Sequence, residues 1–144
     1  MSTRLTADEL ARWAQWKRAT ESVMRSVAEA IAAETGLSSS DFSVLSRLVE
    51  QGGGRLRQQR LADDLGWERS RLSRHLGRME NRDLITREGN GPERWLTATP
   101  RGTGLLDSAR AAHAVAVRSH LLHAIPSDDS KAFWAGVGML AADR

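Results

Sequence analysis

At 144 residues, with 40% hydrophobic and 27% charged side chains, the chain suits one domain with a core, and it holds no apolar run of the ~18 residues a membrane span needs. The absence of cysteine excludes disulfides, thiolate metal sites and thiol redox sensing. The net charge of +3 is compatible with a polyanionic partner, and its placement is more telling than its size: Arg69, Arg71, Arg74, Arg78 and Arg82 stand against Glu80 alone over that stretch.

The N-terminus runs directly into a polar, capped helix, with no basic-then-apolar leader, so a cytoplasmic location is expected. Thr6-Ala7-Asp8-Glu9 matches a capping box, and Leu5 and Leu10 occupy the staple positions around it. Apolar residues recur at helical spacing through Trp13, Trp16, Val23, Val27 and Ile31, and Thr35-Gly36 ends the run. Such a helix is about 43 Å long, beyond the ~30 Å width of a small domain, so part of it should project and seek a partner.

Ser38-Ser39-Ser40-Asp41 supplies caps for a second helix, roughly Ser40 to Glu50, with Phe42, Leu45, Leu48 and Val49 turned inward. Gly52-Gly53-Gly54 stops it and reads as a turn; a phosphate cradle would follow a strand and end in Lys-Ser/Thr. Leu56 marks a short bridging strand. Gln58 to Leu65 then forms a helix, Gly66 takes the left-handed position that ends it, and a second helix runs from Arg69 to about Arg82. Leu72, Leu76 and Met79 fall on one stripe of that helix, leaving Arg69, Ser70, Arg71, Ser73, Arg74 and Arg78 on the other side.

Leu84 to Arg87 and Arg94 to Ala98 alternate like the strands of a hairpin around Gly89-Asn90-Gly91-Pro92. Thr99-Pro100 opens a long helix to about Ala124, Pro126 breaks it, and Ser127 is expected to cap a last helix whose apolar face includes Phe133, Trp134, Val137, Met139 and Leu140. The whole is mainly α with a small β-hairpin: a single domain, 1–144, with a winged helix-turn-helix lobe over 38–99 and N- and C-terminal helices, 6–36 and 100–144, as a dimerisation frame.

A helix fits the major groove of double-stranded DNA, and arginine bonds both O6 and N7 of guanine. The first turns of a recognition helix come nearest the bases, which selects Ser70, Arg71 and Arg74, with Arg69 and Ser73 close by and Arg78 placed for a phosphate. Arg87 and Arg94 flank the hairpin loop, where an arginine can enter the minor groove. Trp95 beside them is read as shielding the core in preference to stacking at the wing base. Trp13, Trp16 and Met24 can line an aromatic ligand pocket or, as apolar residues at helical spacing, a dimer core. His113, His120 and His123 lie on the helix after the wing, the first two spaced by two turns; a zinc or pH site is the sharper reading and a surface or interface role the commoner one. No Ser with a base partner and no paired carboxylates in a Gly-rich setting are visible, so no enzyme and no cofactor is expected.

The order of elements, with Leu61-Ala62-Asp63-Asp64-Leu65-Gly66, the run Arg74 to Glu80 followed by Asp83-Leu84-Ile85, and Thr99-Pro100-Arg101-Gly102, resembles the multiple-antibiotic-resistance regulator (MarR) family of bacterial transcription factors. Gly66 to Ser73 is similar to a variant associated with actinobacterial members. The resemblance implies a homodimer joined through its first and last helices, a palindromic operator, and repression released by a small aromatic or phenolic ligand bound between frame and DNA-binding lobe. It gives Ser70, Arg71, Ser73 and Arg74 base-reading roles and Arg94 the wing role. The chain departs from the pattern at a short wing with Pro92-Glu93-Arg94 in place of Asp-Arg-Arg, at Arg57 and Glu68 where Ser or Thr commonly cap helices, and at Asp83 where Gly is usual. The competing readings are a winged-helix scaffold for protein partners and a metal-responsive regulator using the histidines.

Overall fold

The computed structural model describes residues 3–142. In chain order it has α1 (Ala7–Thr35), α2 (Ser39–Gly52), β1 (Arg55–Arg57), α3 (Gln58–Leu65), α4 (Arg69–Asn81), β2 (Ile85–Glu88), a 3₁₀ turn (Gly91–Glu93), β3 (Trp95–Ala98), α5 (Pro100–Val117), a π-helical turn (Arg118–Leu122) and α6 (Ser127–Ala141). The hairpin is one part of a three-stranded antiparallel sheet of order β1-β3-β2, in which Leu56 pairs with Leu96 and Ile85 with Ala98. Among the described residues no helix is long and apolar enough to cross a membrane.

The chain forms two compact units, one from Ile31 to Ala112 and one from the segments up to Ala30 and from His113 onward. The first has a closed core. Leu37, Leu45, Leu48, Leu61, Leu72, Leu76, Met79, Leu84 and Leu96 are fully buried, drawn from α2, α3, α4, β3 and the residues just before α2 and β2. Alternation fixes the sheet's faces: Leu56 and Leu96 turn inward while Arg55, Arg57 and Trp95 turn out. Trp95 therefore does not shield the core; Leu96, one residue on, does.

The second unit is built differently. Among its described residues Ala116 is the buried apolar one, and Leu5, Leu10, Trp13, Trp16, Met24, Val115, Leu122, Met139 and Leu140 are all exposed. The expected box at the start of α1 forms, with Glu9 N–H on Thr6 Oγ1 at 3.3 Å and Thr6 N–H on Glu9 Oε2 at 2.7 Å, but Leu5 and Leu10 flank it in solvent. Ser127 does not cap α6: it is the first helical residue, and Pro126 stands before it in extended conformation, with no side-chain cap bond. The helix after the wing also does not run evenly to Ala124, because the π turn interrupts it at Arg118.

Two close fits hold α4's exit to α5. Thr99 Oγ1 donates to the Asp83 carbonyl at 2.6 Å and accepts Gly102 N–H at 3.0 Å, capping α5. A Cβ on Gly102 would strike the Leu84 carbonyl oxygen and meet Leu45 Cδ2 at 3.2 Å, which is why the Thr-x-x-Gly spacing matters here. Asp83, at the position where the resemblance has Gly, takes φ +57°, the left-handed region. Gly102→Ala is expected to destabilise the protein by about 2–3 kcal/mol. Asp83→Val should cost about 1–2 kcal/mol while Asp83→Gly costs nothing or adds stability, all read by urea denaturation.

Candidate nucleic-acid interface

The face of interest is made by the turn between α3 and α4 and the first turns of α4. Leu61 and Ala62 bury one side of α3. Gly66 ends the helix at φ +65°, and Gly66 N–H reaches Asp63 O at 3.3 Å while Trp67 N–H reaches Ala62 O at 3.1 Å, the bond pair of a Schellman motif. Glu68 then stands at the N-cap of α4 without a side-chain cap bond, its carboxylate accepting instead from Ser70 Oγ at 2.5 Å. Leu72, His75, Leu76 and Met79 are the buried stripe of α4.

That stripe turns Arg69, Ser70, Arg71, Arg74 and Arg78 outward. The arginines divide sharply by what holds them. Arg69 and Arg74 are exposed, with no ion pair or hydrogen bond to their side chains among the described residues. Arg71 stacks its guanidinium over the Trp67 ring, 4.2 Å from the centroid. Arg78 is exposed but sets Nη2 3.2 Å from His75 Nδ1. Arg82 donates to Asp41 Oδ2 at 2.7 Å and to the Gly36 carbonyl at 3.2 Å.

The wing's arginines turn inward. Arg87 pairs with Glu80 at 3.2 Å and reaches the carbonyl and hydroxyl of Ser73, both at 3.4 Å, so Arg87 is half-buried against α4 and Ser73 is half-buried beneath it. Arg94 is also half-buried; its carbonyl accepts Gln58 N–H at 2.8 Å and its Nε is buried without a partner among the described residues. The wing's outer surface carries Trp95 between two guanidinium groups, Arg55 at 4.0 Å and Arg57 at 4.1 Å. Arg57 Nη1 also donates to the Glu93 carbonyl at 2.6 Å, tying the loop back to β1.

A polar group that sequence reasoning passed over lies beneath α4. Asp41, 1% exposed, closes the capping box of α2: Ser38 N–H donates to its Oδ2 at 2.9 Å and its own N–H to Ser38 Oγ at 3.1 Å. Its Oδ1 lies 3.0 Å from His75 Nε2, a hydrogen-bond distance without full alignment, and neither atom has another partner. Arg78 can only donate, so His75 Nδ1 is the accepting nitrogen and the proton resides on Nε2, toward Asp41. The Trp67 ring meets the imidazole edge to face at 5.8 Å. The signal was present in the spacing of Leu72, His75, Leu76 and Met79, in which His75 completes an i, i+3, i+4, i+7 stripe.

Burial would raise the Asp41 pKa, but the Arg82 hydrogen bond, the Ser38 amide and the charges of Arg82 and His75 together hold it below its ordinary 3.8. Burial lowers that of His75 below 6.5, with Asp41 pulling against it and Arg78 and Arg82 adding to the fall.

The helical unit contains an apolar groove of about 500 Å³ lined by residues of α1, the π turn and α6, among them Trp16, Met24, His120, Phe133 and Trp134. Trp16 and Met24 thus line the same groove. Trp13 does not join them; it is exposed, with Lys17 Nζ 5.6 Å from its ring centre. Phe133 and Trp134, in edge contact at 5.0 Å, were not foreseen as groove residues. His113, His120 and His123 form no metal cluster: no group of three or more His, Asp or Glu among the described residues is placed to hold an ion. The π turn that contains His120 also breaks the helical repeat that would align it with His113.

Residues 37–99 match the model of a domain family of unknown function, DUF7343, which covers less than half of the chain. No curated protein matches. Among solved structures, AbsC, a MarR family transcriptional regulator from Streptomyces coelicolor, superposes with a TM-score of 0.82 at 24% identity, over 97% of this chain and 96% of that one. A second MarR family regulator of the same organism, solved in complex with DNA, gives 0.80 at 23% identity over 96% and 92%. The transcriptional repressor CouR, bound to p-coumaroyl-CoA, gives 0.76 at 24% identity over 98% and 100%. At these identities the likeness establishes the fold: a winged helix-turn-helix with flanking helices, the fold of the MarR family regulators.

The pKa shifts have one sign for stability. A native pKa below the unfolded value makes the deprotonated form the native one. Stability is therefore full above the ordinary value and lost as pH falls, starting near 6.5 for His75 and near 3.8 for Asp41. Thermal melts from pH 8 to 4 should show a decline that begins below 6.5 and is shallower in His75→Gln. Asp41→Ala, which strands the Ser38 amide and leaves Arg82 and His75 without their acceptor, should cost about 2–4 kcal/mol at pH 7.

Proposed function

We propose that the protein is a sequence-specific DNA-binding transcriptional regulator, a repressor acting as a homodimer on a palindromic operator. The observation that carries this is the division of arginines: Arg69, Arg71 and Arg74 lie exposed on the first turns of α4 with no carboxylate on their donors, whereas Arg82 and Arg87 are bound internally. A helix that enters the major groove by its N-terminal turns needs free donors at those positions. Ser70 belongs to the same surface. Arg78 is assigned a phosphate. Arg87, Arg94 and Ser73, half-buried, are given supporting roles in the lobe and no base contact.

Dimerisation is supported by the helical unit. Among the described residues nine large apolar side chains are exposed on it, a concentration that the other unit does not have. Exposed patches of this kind mark interfaces. Regulation by a small aromatic effector is supported by the groove that contains Trp16 and Met24, and by a protein of the same fold, CouR, being bound to p-coumaroyl-CoA. A regulator of this kind works in the cytoplasm, with no catalytic step and no cofactor.

Arg71→Ala should cost about 1–3 kcal/mol on the specific site and relax the base preference there, while Arg78→Ala weakens all sequences alike. Both are read by fluorescence anisotropy on a duplex selected from a randomised pool, with log affinity falling against log salt at roughly −0.9 per neutralised phosphate. A flat salt response, or both variants binding as the wild type does, would refute the assignment and favour a protein-binding scaffold.

Sedimentation equilibrium should give twice the chain mass of 15.9 kDa, and Met139→Glu with Leu140→Glu should shift the protein to the monomer. Footprints should show an inverted repeat with half-sites about one helical turn, ~34 Å, apart.

A further inference from the structure

We propose that Trp67 is a positioning residue for Arg71: it fixes, before DNA arrives, the direction in which that guanidinium is presented to a base. The inference rests on the DNA-reading role given above to α4. Trp67 precedes the N-cap of α4, and Arg71 is four residues further on, so the two are helical neighbours across the cap. Long helical side chains lean toward the helix N-terminus, which carries the Arg71 guanidinium back over the indole, 4.2 Å from its centre.

Trp67 can serve as a platform because it is itself held in two ways. Its N–H closes the Schellman motif on Ala62 O at 3.1 Å. Its ring stands edge to face against His75 at 5.8 Å. His75 in turn is fixed between Arg78 at 3.2 Å and the buried Asp41 at 3.0 Å. A chain of contacts therefore runs from the interior of the lobe to one arginine on the reading face. Arg69 and Arg74, the other two outward arginines of these turns, have no such support among the described residues.

Stacking is the one restraint compatible with reading a base. An ion pair with a carboxylate occupies the N–H donors, as happens to Arg82 and Arg87. Contact through the flat face leaves the donors at the rim of the guanidinium free for O6 and N7 of a guanine. Arginine has much rotamer entropy to lose on binding, and a side chain already restrained loses less.

The test is a double-mutant cycle on the wild-type-selected duplex, on copies with each base pair replaced, and on an unrelated duplex. Trp67→Leu should weaken the selected duplex roughly three- to fivefold, the scale of an exposed cation–π contact. It should flatten preference at the same base pair that Arg71→Ala flattens and leave the unrelated duplex unchanged. Added to Arg71→Ala, it should have no further effect, and Trp67→Phe should restore most of the loss. Should Trp67→Leu melt below the assay temperature, Trp67→Gln takes its place in the cycle.

Additive losses, or an equal loss on the unrelated duplex, would show Trp67 to be structural only and overturn the proposal. Arg71→Ala losing specificity while Trp67→Leu retains it would overturn the positioning role alone. Arg71→Ala without effect would overturn the reading of α4 and this inference with it.

Discussion

The winged helix-turn-helix lobe depends on a buried carboxylate. Asp41, at 1% exposure, would be a severe liability alone, since an ion moved out of water costs several kcal/mol unless charge and hydrogen bonds replace its hydration. Here one oxygen takes the Ser38 amide and the Arg82 guanidinium, and the other faces His75. Ser38 begins α2, whereas His75 and Arg82 come from α4 and the residue that follows it. The carboxylate thus joins α2 to α4 by contacts that have direction. The surrounding core of Leu45, Leu72, Leu76 and Met79 supplies most of the burial, but apolar contact constrains rotation of a helix weakly compared with a charge that has one partner position. Turning α4 by one residue, about 100° at 3.6 residues per turn, would break the His75 contact and carry Arg71 off the outward face.

The same economy continues where the chain leaves α4. Asp83 adopts a left-handed conformation, Leu84 enters the core, and the Asp83 carbonyl receives the Thr99 hydroxyl that caps α5. Gly102 lets the α5 backbone close on the Leu84 carbonyl. The beginning of α5 and the end of α4 are therefore fitted backbone to backbone, so the sheet between them is anchored at its base.

Much of this was legible from residue types and spacing. The bounds of α3, Gln58 to Leu65, follow from its apolar face and the glycine after it, and the box at Thr6 formed as written. Asp83 was marked by its place in a pattern that wants glycine, and its positive φ is the physical content of that departure. Periodicity gave the outward face of α4 but not what its neighbours' side chains would reach: Arg87 and Arg94 alternate as wing residues should, yet Arg87 folds back across the chain reversal to Glu80 and Ser73, and the Nε of Arg94 is buried. The burial of His75 was visible as a stripe position and was masked by its polarity; nothing local announces that Asp41, more than thirty residues earlier, is its counterpart. The π turn at Arg118–Leu122 has no sequence mark that period counting detects, since the apolar residues around it fit an α-helix equally well.

The wing shows how charge count misleads when charge placement is ignored. Its outer surface has two arginines, Arg55 and Arg57, but each faces a glutamate, Glu88 at 4.0 Å and Glu93 at 3.7 Å, and both lie on Trp95. Exposed pairs such as these add little stability, and their consequence is electrostatic: the surface carries alternating signs, and its arginines are partly neutralised before any phosphate approaches. Arg57 adds a bond to the Glu93 carbonyl, which holds the short loop against the sheet. A wing restrained in this way, with Arg87 and Arg94 drawn inward, has little free positive charge to place in a minor groove. Arg69, Arg71 and Arg74, on the first turns of α4, are left exposed with no carboxylate partner among the described residues.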